Sequence, residues 1–310
     1  MEKTAKQFNW RSRLRSVTNQ YQLYLFIMPT MIYFIVFKYI PMYGVQIAFK
    51  DFITNIGIWK SPWIGFVHFE RLFQSVEFVR ILKNTFLLSG MQLAFGFPLP
   101  IIVAIMLNQV SNRSFKKFTQ TTIYAPYFIS TVVLVGMITV FSAQRTGLFN
   151  LIITAFGGKE IFFMGRPGWF RPLYVMSSIW QNTGWSAIIY IAALTSISNE
   201  LYEAAVVDGA SKWQKIIYIE IPGLMPTAVI MLILSVGNIM SIGFEKAYLM
   251  QNGLNRTASE IISTYVYKQG LLGAQFSFSS AVGLFNSVTN LVLLFTANTF
   301  ARKIGGTSLW

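Results

Sequence analysis

Cysteine is absent from this 310-residue chain, which excludes disulfides, a thiolate nucleophile and cysteine metal sites. The single histidine, His68, cannot build a multi-histidine centre. Aspartate occurs twice, at Asp51 and Asp208. That is thin material for the paired carboxylates that hold a metal in a membrane-embedded glycosyl or prenyl transferase. No phosphate-binding glycine loop is present. The nearest candidate, Gly157-Gly158-Lys159-Glu160, lacks the GxxxxGK[ST] spacing and the Ser/Thr. ATP binding by this chain is therefore not expected, and neither is any other cofactor of its own.

Charge is also scarce. Charged residues make up 12% of the chain, against about 25% in an ordinary soluble domain. They leave six charge-free windows of more than 20 residues, at 16–37, 84–112, 118–144, 172–199, 221–244 and 269–301. About 20 apolar residues suffice for a helix to cross the roughly 30 Å hydrocarbon core. The expected fold is thus an all-α integral membrane protein with six spans, near 21–43, 86–107, 123–141, 173–195, 226–244 and 280–300. The transmembrane domain is expected over 21–301, between a polar tail at 1–20 and a short tail at 302–310. The first apolar stretch is too long for a signal peptide, and no small-x-small site follows it.

The net charge of +14 does not point to nucleic acid, because Lys and Arg are scattered between apolar windows. Basic loops and ends suit anionic lipid. Lys and Arg totals tie between the two sides of a six-span topology. The basic tail (Lys3, Lys6, Arg11, Arg13, Arg15), the 109–117 loop and Arg302/Lys303 lie close to span ends. Their placement favours both termini in the cytoplasm. Lys38 is expected to snorkel from the first span. Trp59, Trp63 and Trp169 in the outer loops suit interface anchors or a docking surface for a partner.

The loop 197–222, between the fourth and fifth spans, carries a more specific pattern. Helix formers open it at Leu201, Glu203, Ala204 and Ala205, Gly209 permits a sharp turn, and Pro222 is expected to stop a second short helix. The spacing Glu203-Ala204-Ala205, three residues, Gly209, nine residues, Ile219, one residue, Ile221, Pro222 resembles the EAA motif. That motif marks permease subunits of bacterial ATP-binding-cassette importers, and Ile221 for the usual Leu is its one departure here. Asp208-Gly209-Ala210 resembles the sugar-transporting branch. Tyr39-Ile40-Pro41-Met42-Tyr43-Gly44 through Ala48-Phe49-Lys50-Asp51, Tyr124-Ala125-Pro126-Tyr127 and the ending Ser308-Leu309-Trp310 resemble its polysaccharide and complex-oligosaccharide subgroup.

The resemblance implies a half-pore in the bacterial plasma membrane. It implies docking of the Glu203, Ala204, Ala205, Asp208, Gly209, Ala210, Ile219 and Pro222 segment on a separate ATPase dimer that binds ATP and Mg. It also implies a second permease subunit, usually a different chain, and an extracytoplasmic lipoprotein that delivers an oligosaccharide. Candidate sugar contacts follow from helical spacing. Ser178, Gln181, Asn182 and Trp185 share one face of the fourth span, with Trp180 beside them. Asn238, Ser241 and Glu245 are expected on one face of the fifth, and Gly283, Asn286 and Asn290 on one face of the sixth. The bland alternative is that these groups bond neighbouring helices. An ion-coupled secondary carrier remains a second class, although no charge sits at mid-span in this chain. A lipid-linked transferase is the third.

Overall fold

A computed structural model describes residues 21–306 and 308–310, so the basic tail 1–20 lies outside the described residues. Every regular element among them is helical, with one isolated antiparallel bridge between Lys50 and Trp63. The chain divides into two units, one ending at Gly65 and the other Phe66–Trp310.

The first unit is built on α1, Tyr21–Phe49. Its side chains are apolar on all sides and exposed, as at Phe26 and Phe37. Such a helix is stable only against lipid or another chain. Beyond it Lys50 Nζ donates to Ile58 O at 2.7 Å and lies over the Trp63 ring. Pro41 inside α1 has no N–H to give. The turn ahead of it widens into a π segment, Ile35–Tyr39, closed by Ile40 N donating to Ile35 O.

In the second unit, α2 is Val67–Gln74, α3 Val76–Asn108, α4 Arg113–Phe128 and α5 Thr131–Phe141. Then come α6 Leu148–Ala155, α7 Pro167–Thr195, α8 Asn199–Val207 and α9 Lys212–Gly237. The last three are α10 Phe244–Met250, α11 Ile262–Tyr267 and α12 Phe276–Gly305. Among the described residues α1, α3, α9 and α12 are long and apolar enough to cross a membrane. The pair α4–α5, bent by 95°, would make a fifth. Helix α7 spans about 43 Å at 1.5 Å per residue, but its polar middle keeps it out of that set.

Several expected boundaries move. The second span starts at Val76 and the sixth at Phe276, each a turn or more before its apolar window. The fourth starts at Pro167, in the first turn, where a missing N–H costs nothing. The 109–117 loop shrinks, because Asn112 caps a helix beginning at Arg113. The third span is not one straight helix, since it breaks at Ile129-Ser130 and restarts under a Ser130 cap. The fifth ends at Gly237, not Phe244, with Asn238 as its C-cap. The expected loop up to Phe276 is instead largely helical and buried, as at Met250, Ile261 and Ile262. Nor does Pro222 stop a helix. Ile216–Glu220 form a π turn closed by Ile221 N donating to Ile216 O, and α9 runs on through the proline. The device is the one used at Pro41.

Helices α3 and α7 run through the core. One cluster joins Leu88 of α3, Leu134 of α5, Phe170 and Tyr174 of α7 and Met250 of α10. Another joins Ala104 of α3, Ala187 and Leu194 of α7 and Leu224 and Ala228 of α9. Small residues let backbones approach. At Gly184 a Cβ would stand 2.0 Å from Ile123 O of α4. A third cluster ties α2, α11 and α12 through Leu72, Tyr265 and Phe278.

Candidate functional site

The protruding loop is set by local bonds. Ser198 Oγ accepts from Glu200 N at the start of α8. Gly209, at φ +72°, closes α8 in a left-handed cap, with Ala210 N donating to Ala205 O and Gly209 N to Val206 O. Ser211 and Gln214 then form a reciprocal capping box that opens α9. Glu203 and Ala204 are exposed, as are the apolar side chains of Leu201, Val206, Val207 and Trp213. Asp208, Gly209, Ala210 and Ile219 line a cavity of about 310 Å³ between α8 and α9. Pro222 is exposed one turn beyond it.

At the base of this loop lies Glu220, which the sequence motif leaves unassigned. It is 1% exposed. Its Oε1 accepts from Asn108 Nδ2 and Gln109 Nε2, both at 2.7 Å, and from the Tyr202 hydroxyl at 3.5 Å. One carboxylate thus joins the end of α3, the EAA helix α8 and the start of α9. Its Oε2 is buried without a hydrogen bond.

Of the candidate sugar contacts, Ser178, Gln181, Asn182 and Glu245 line one cavity of about 380 Å³. Gln181 is partly committed, because its Nε2 donates to Ile129 O at 2.7 Å, a carbonyl freed by the α4–α5 break. Asn182 Nδ2 bonds back to Ser178 O in its own helix. Trp185 does not line that cavity. It stacks on Tyr127 at 4.4 Å and meets Phe128 edge-on, packing the end of α4. Trp180 points the other way, into an apolar groove with Trp169 and Phe141. The fifth-span face fails as drawn, because Asn238 lies in a separate cavity of about 280 Å³, Ser241 in the turn and Glu245 on α10. Asn290 works as a tie: its Nδ2 donates to Ser241 Oγ and its Oδ1 accepts from Met240 N. Asn286 Oδ1 is buried and unpartnered.

Two residues outside the expected set matter here. Gln92 of α3 lines both cavities, and its Oε1 is buried without a partner. Lys246 of α10 lines the larger cavity, at 6% exposure. Its Nζ donates to Ser178 Oγ at 2.7 Å and to Tyr174 O at 3.0 Å, and burial pushes its pKa down to about 7. Helical spacing within the charge-free windows did not flag either residue, since Lys246 lies beyond Glu245, which ends the 221–244 window, and Gln92 has only Ser89, at i−3, as a polar partner on its face. A further charged knot lies apart from these. The buried Glu260 carboxylate meets Arg80 and Arg256, each at 2.9 Å, and Lys268 at 3.4 Å.

Comparison with known proteins bears on what these features do. The family model described as binding-protein-dependent transport system inner membrane component matches residues 96–306. Protein LplB of Bacillus subtilis (strain 168) is 42% identical over 298 residues, covering 96% of this chain and 93% of that protein. The polygalacturonan/rhamnogalacturonan transport system permease protein YteP of the same organism is 45% identical over 292 residues, covering 94% and 91%. A crystal structure of a bacterial ABC transporter involved in the import of the acidic polysaccharide alginate contains a chain that superposes with a TM-score of 0.87. That chain is 40% identical, and the match covers 95% of this chain and 99% of that one. The same values hold for the alginate transporter in complex with an alginate pentasaccharide-bound periplasmic protein.

Proposed function

The chain belongs to the family of binding-protein-dependent transport system inner membrane components, and from that premise we propose how it works as a permease subunit of an oligosaccharide importer. It is a multi-pass membrane protein of the ATP-binding-cassette type, and its relatives import sugars. A binding protein outside the membrane delivers an oligosaccharide to the end opposite the 197–222 loop. That loop faces the cytoplasm, as do both termini. It docks on an ATPase dimer that supplies ATP and Mg, and a second, different permease chain completes the pore.

One observation carries the coupling role. Residues 198–215 form a helix–turn–helix with an exposed apolar face at Leu201, Val206, Val207 and Trp213, on the segment whose spacing matches the EAA motif. Exposed apolar side chains on a polar loop mark a protein contact. Closure of the ATPases would move α8. Through Tyr202 and Glu220 that movement reaches α3 and α9, which both line the cavity of about 280 Å³ at Gln92.

The chain has no cysteine of its own, so a single Val207→Cys reports cleanly. The expected result is a nucleotide-sensitive cross-link to the ATPase in membranes that still import oligosaccharide. Import without any such cross-link would remove the coupling role from this loop.

A further inference from the structure

Lys246 is a cation without an anion. The ion pairs among the described residues leave it out, and both of its hydrogen bonds go to neutral oxygens. An ammonium has three N–H donors, so one is uncommitted. Burying an unpaired charge is costly, and apolar packing between α10 and α7 could be had without it. The neighbouring Glu245 is exposed and does not pair with it. The cavity beside Lys246 is about 380 Å³, and its polar lining is the amides of Gln92, Gln181 and Asn182, the hydroxyls of Ser178, Thr131 and Tyr174, and the Glu245 carboxylate at its exposed edge. Its size falls in the range of about 300–1,000 Å³ seen for small-ligand sites. Its amides and hydroxyls match sugar hydroxyls, and Gln92 Oε1 is an acceptor still waiting for a donor.

We propose that Lys246 is the charge-recognition group of this cavity and binds the carboxylate of a uronic-acid residue in the transported oligosaccharide. The assignment rests on the importer reading above and adds the substrate class, an acidic oligosaccharide. One ammonium fits one carboxylate charge. A phosphate dianion is better met by a guanidinium fork or a pair of cations, and the cavity holds neither. The carboxylate takes the free N–H, while Ser178 Oγ and Tyr174 O keep the ammonium aimed.

The test uses the complete complex, with its second permease and ATPases, in lipid nanodiscs without binding protein. Binding of trigalacturonate is compared with that of its neutral counterpart galactotriose and of the methyl-esterified acid. The wild-type complex should bind the acid about tenfold more tightly than either neutral sugar, the gap between a charge-assisted and a neutral hydrogen bond. Lys246→Met should bring the three to parity, and Lys246→Arg should restore the preference. Parity in the wild type, or a preference that survives Lys246→Met, overturns the proposal. Equally strong competition by inorganic phosphate would reveal a general anion site and overturn it too. If Lys246→Met does not assemble, the wild-type comparison of acid with methyl ester decides alone. Parity together with accumulation of a neutral oligosaccharide by binding-protein-loaded vesicles sinks Lys246 and spares the importer. Accumulation of no oligosaccharide at all sinks the importer reading itself.

Discussion

Gly209 shows how one backbone angle can decide a function. Its φ of +72° is open to glycine and strained for a β-branched residue, and nothing lies within 4 Å of where a Cβ would stand. The cost of substitution is therefore conformational alone, about 1–3 kcal/mol. Gly209→Val should leave the complex assembled but lose uptake, with ATP hydrolysis slow and independent of sugar. Gly209→Asn, which tolerates the left-handed region, should keep most of both. Near-normal uptake by the valine variant would show that the turn is not a lever. Glu220 makes the opposite case, where side-chain bonds carry the load. Glu220→Gln still presents an acceptor to Asn108 and Gln109, so thermal unfolding of the complex should barely move. Glu220→Ala strands two half-buried amides, which water reaches in part, and should cost about 1 kcal/mol. Lys246 carries a pH signature. Its folded-state pKa of about 7 lies below the ordinary lysine value, so the ammonium is present below pH 7 and lost above it. Glu245 on its own helix and Tyr174 from α7 are the titratable groups around it. Uptake of an acidic oligosaccharide should fall between pH 6 and 8, and the same profile in Lys246→Met would assign the titration elsewhere.

Among elements, α7 is the one that the others fit around. Gly184 lets α4 approach until a methyl group would meet the Ile123 carbonyl at 2.0 Å. A backbone neighbour cannot swing aside, so Gly184→Ala should push α4 away and destabilise the protein by about 1–3 kcal/mol. It should also disturb the Trp185–Tyr127 stack, which tryptophan fluorescence would report. Unchanged unfolding and fluorescence would mean that the two helices do not meet there. Elements also show where sequence reading succeeds and stops. The glycine turn of the 197–222 loop was legible because a left-handed cap is a local device. The all-helical membrane fold was legible from charge-free windows. The α4–α5 bend was not, because the carbonyl it frees at Ile129 is met by a donor 52 residues away, the Gln181 amide N–H. The start of α3 moved because Arg80 and Lys83 sit inside the helix, whereas a charge-free window ends at charge. The Ser178 and Asn182 stripe was legible from spacing. Trp185 went astray because i+7 on a helix is one face only until a neighbour, here Tyr127, claims the ring.

The whole molecule is unfinished by itself. Helix α1 exposes apolar side chains along its length, and polar cavities line α3, α7 and α9. Both surfaces call for a second chain and lipid. Expressed without the second permease proposed above, the chain should be recovered from membranes at several-fold lower yield, and co-expression should restore it. Equal recovery on immunoblots would show that it is stable alone or as a homodimer.

Among the described residues, the side-chain hydrogen bonds of 198–215 close within the segment except Tyr202 to Glu220, while its backbone runs on into α9 with Ile216 N donating to Lys212 O and Trp213 O. The tip is thus stiff, and it is mounted on the backbone of α9 with one side-chain pin, Tyr202 to Glu220. Lys212 to Glu220 is about 12 Å of helix, so the segment behaves as a crank arm with Glu220 as its axle. A displacement at Val207 becomes torque on two helix ends at once, and its direction is fixed by where the pin sits. Moving the pin by one helical turn would change the gearing without touching the surface proposed to meet the ATPase.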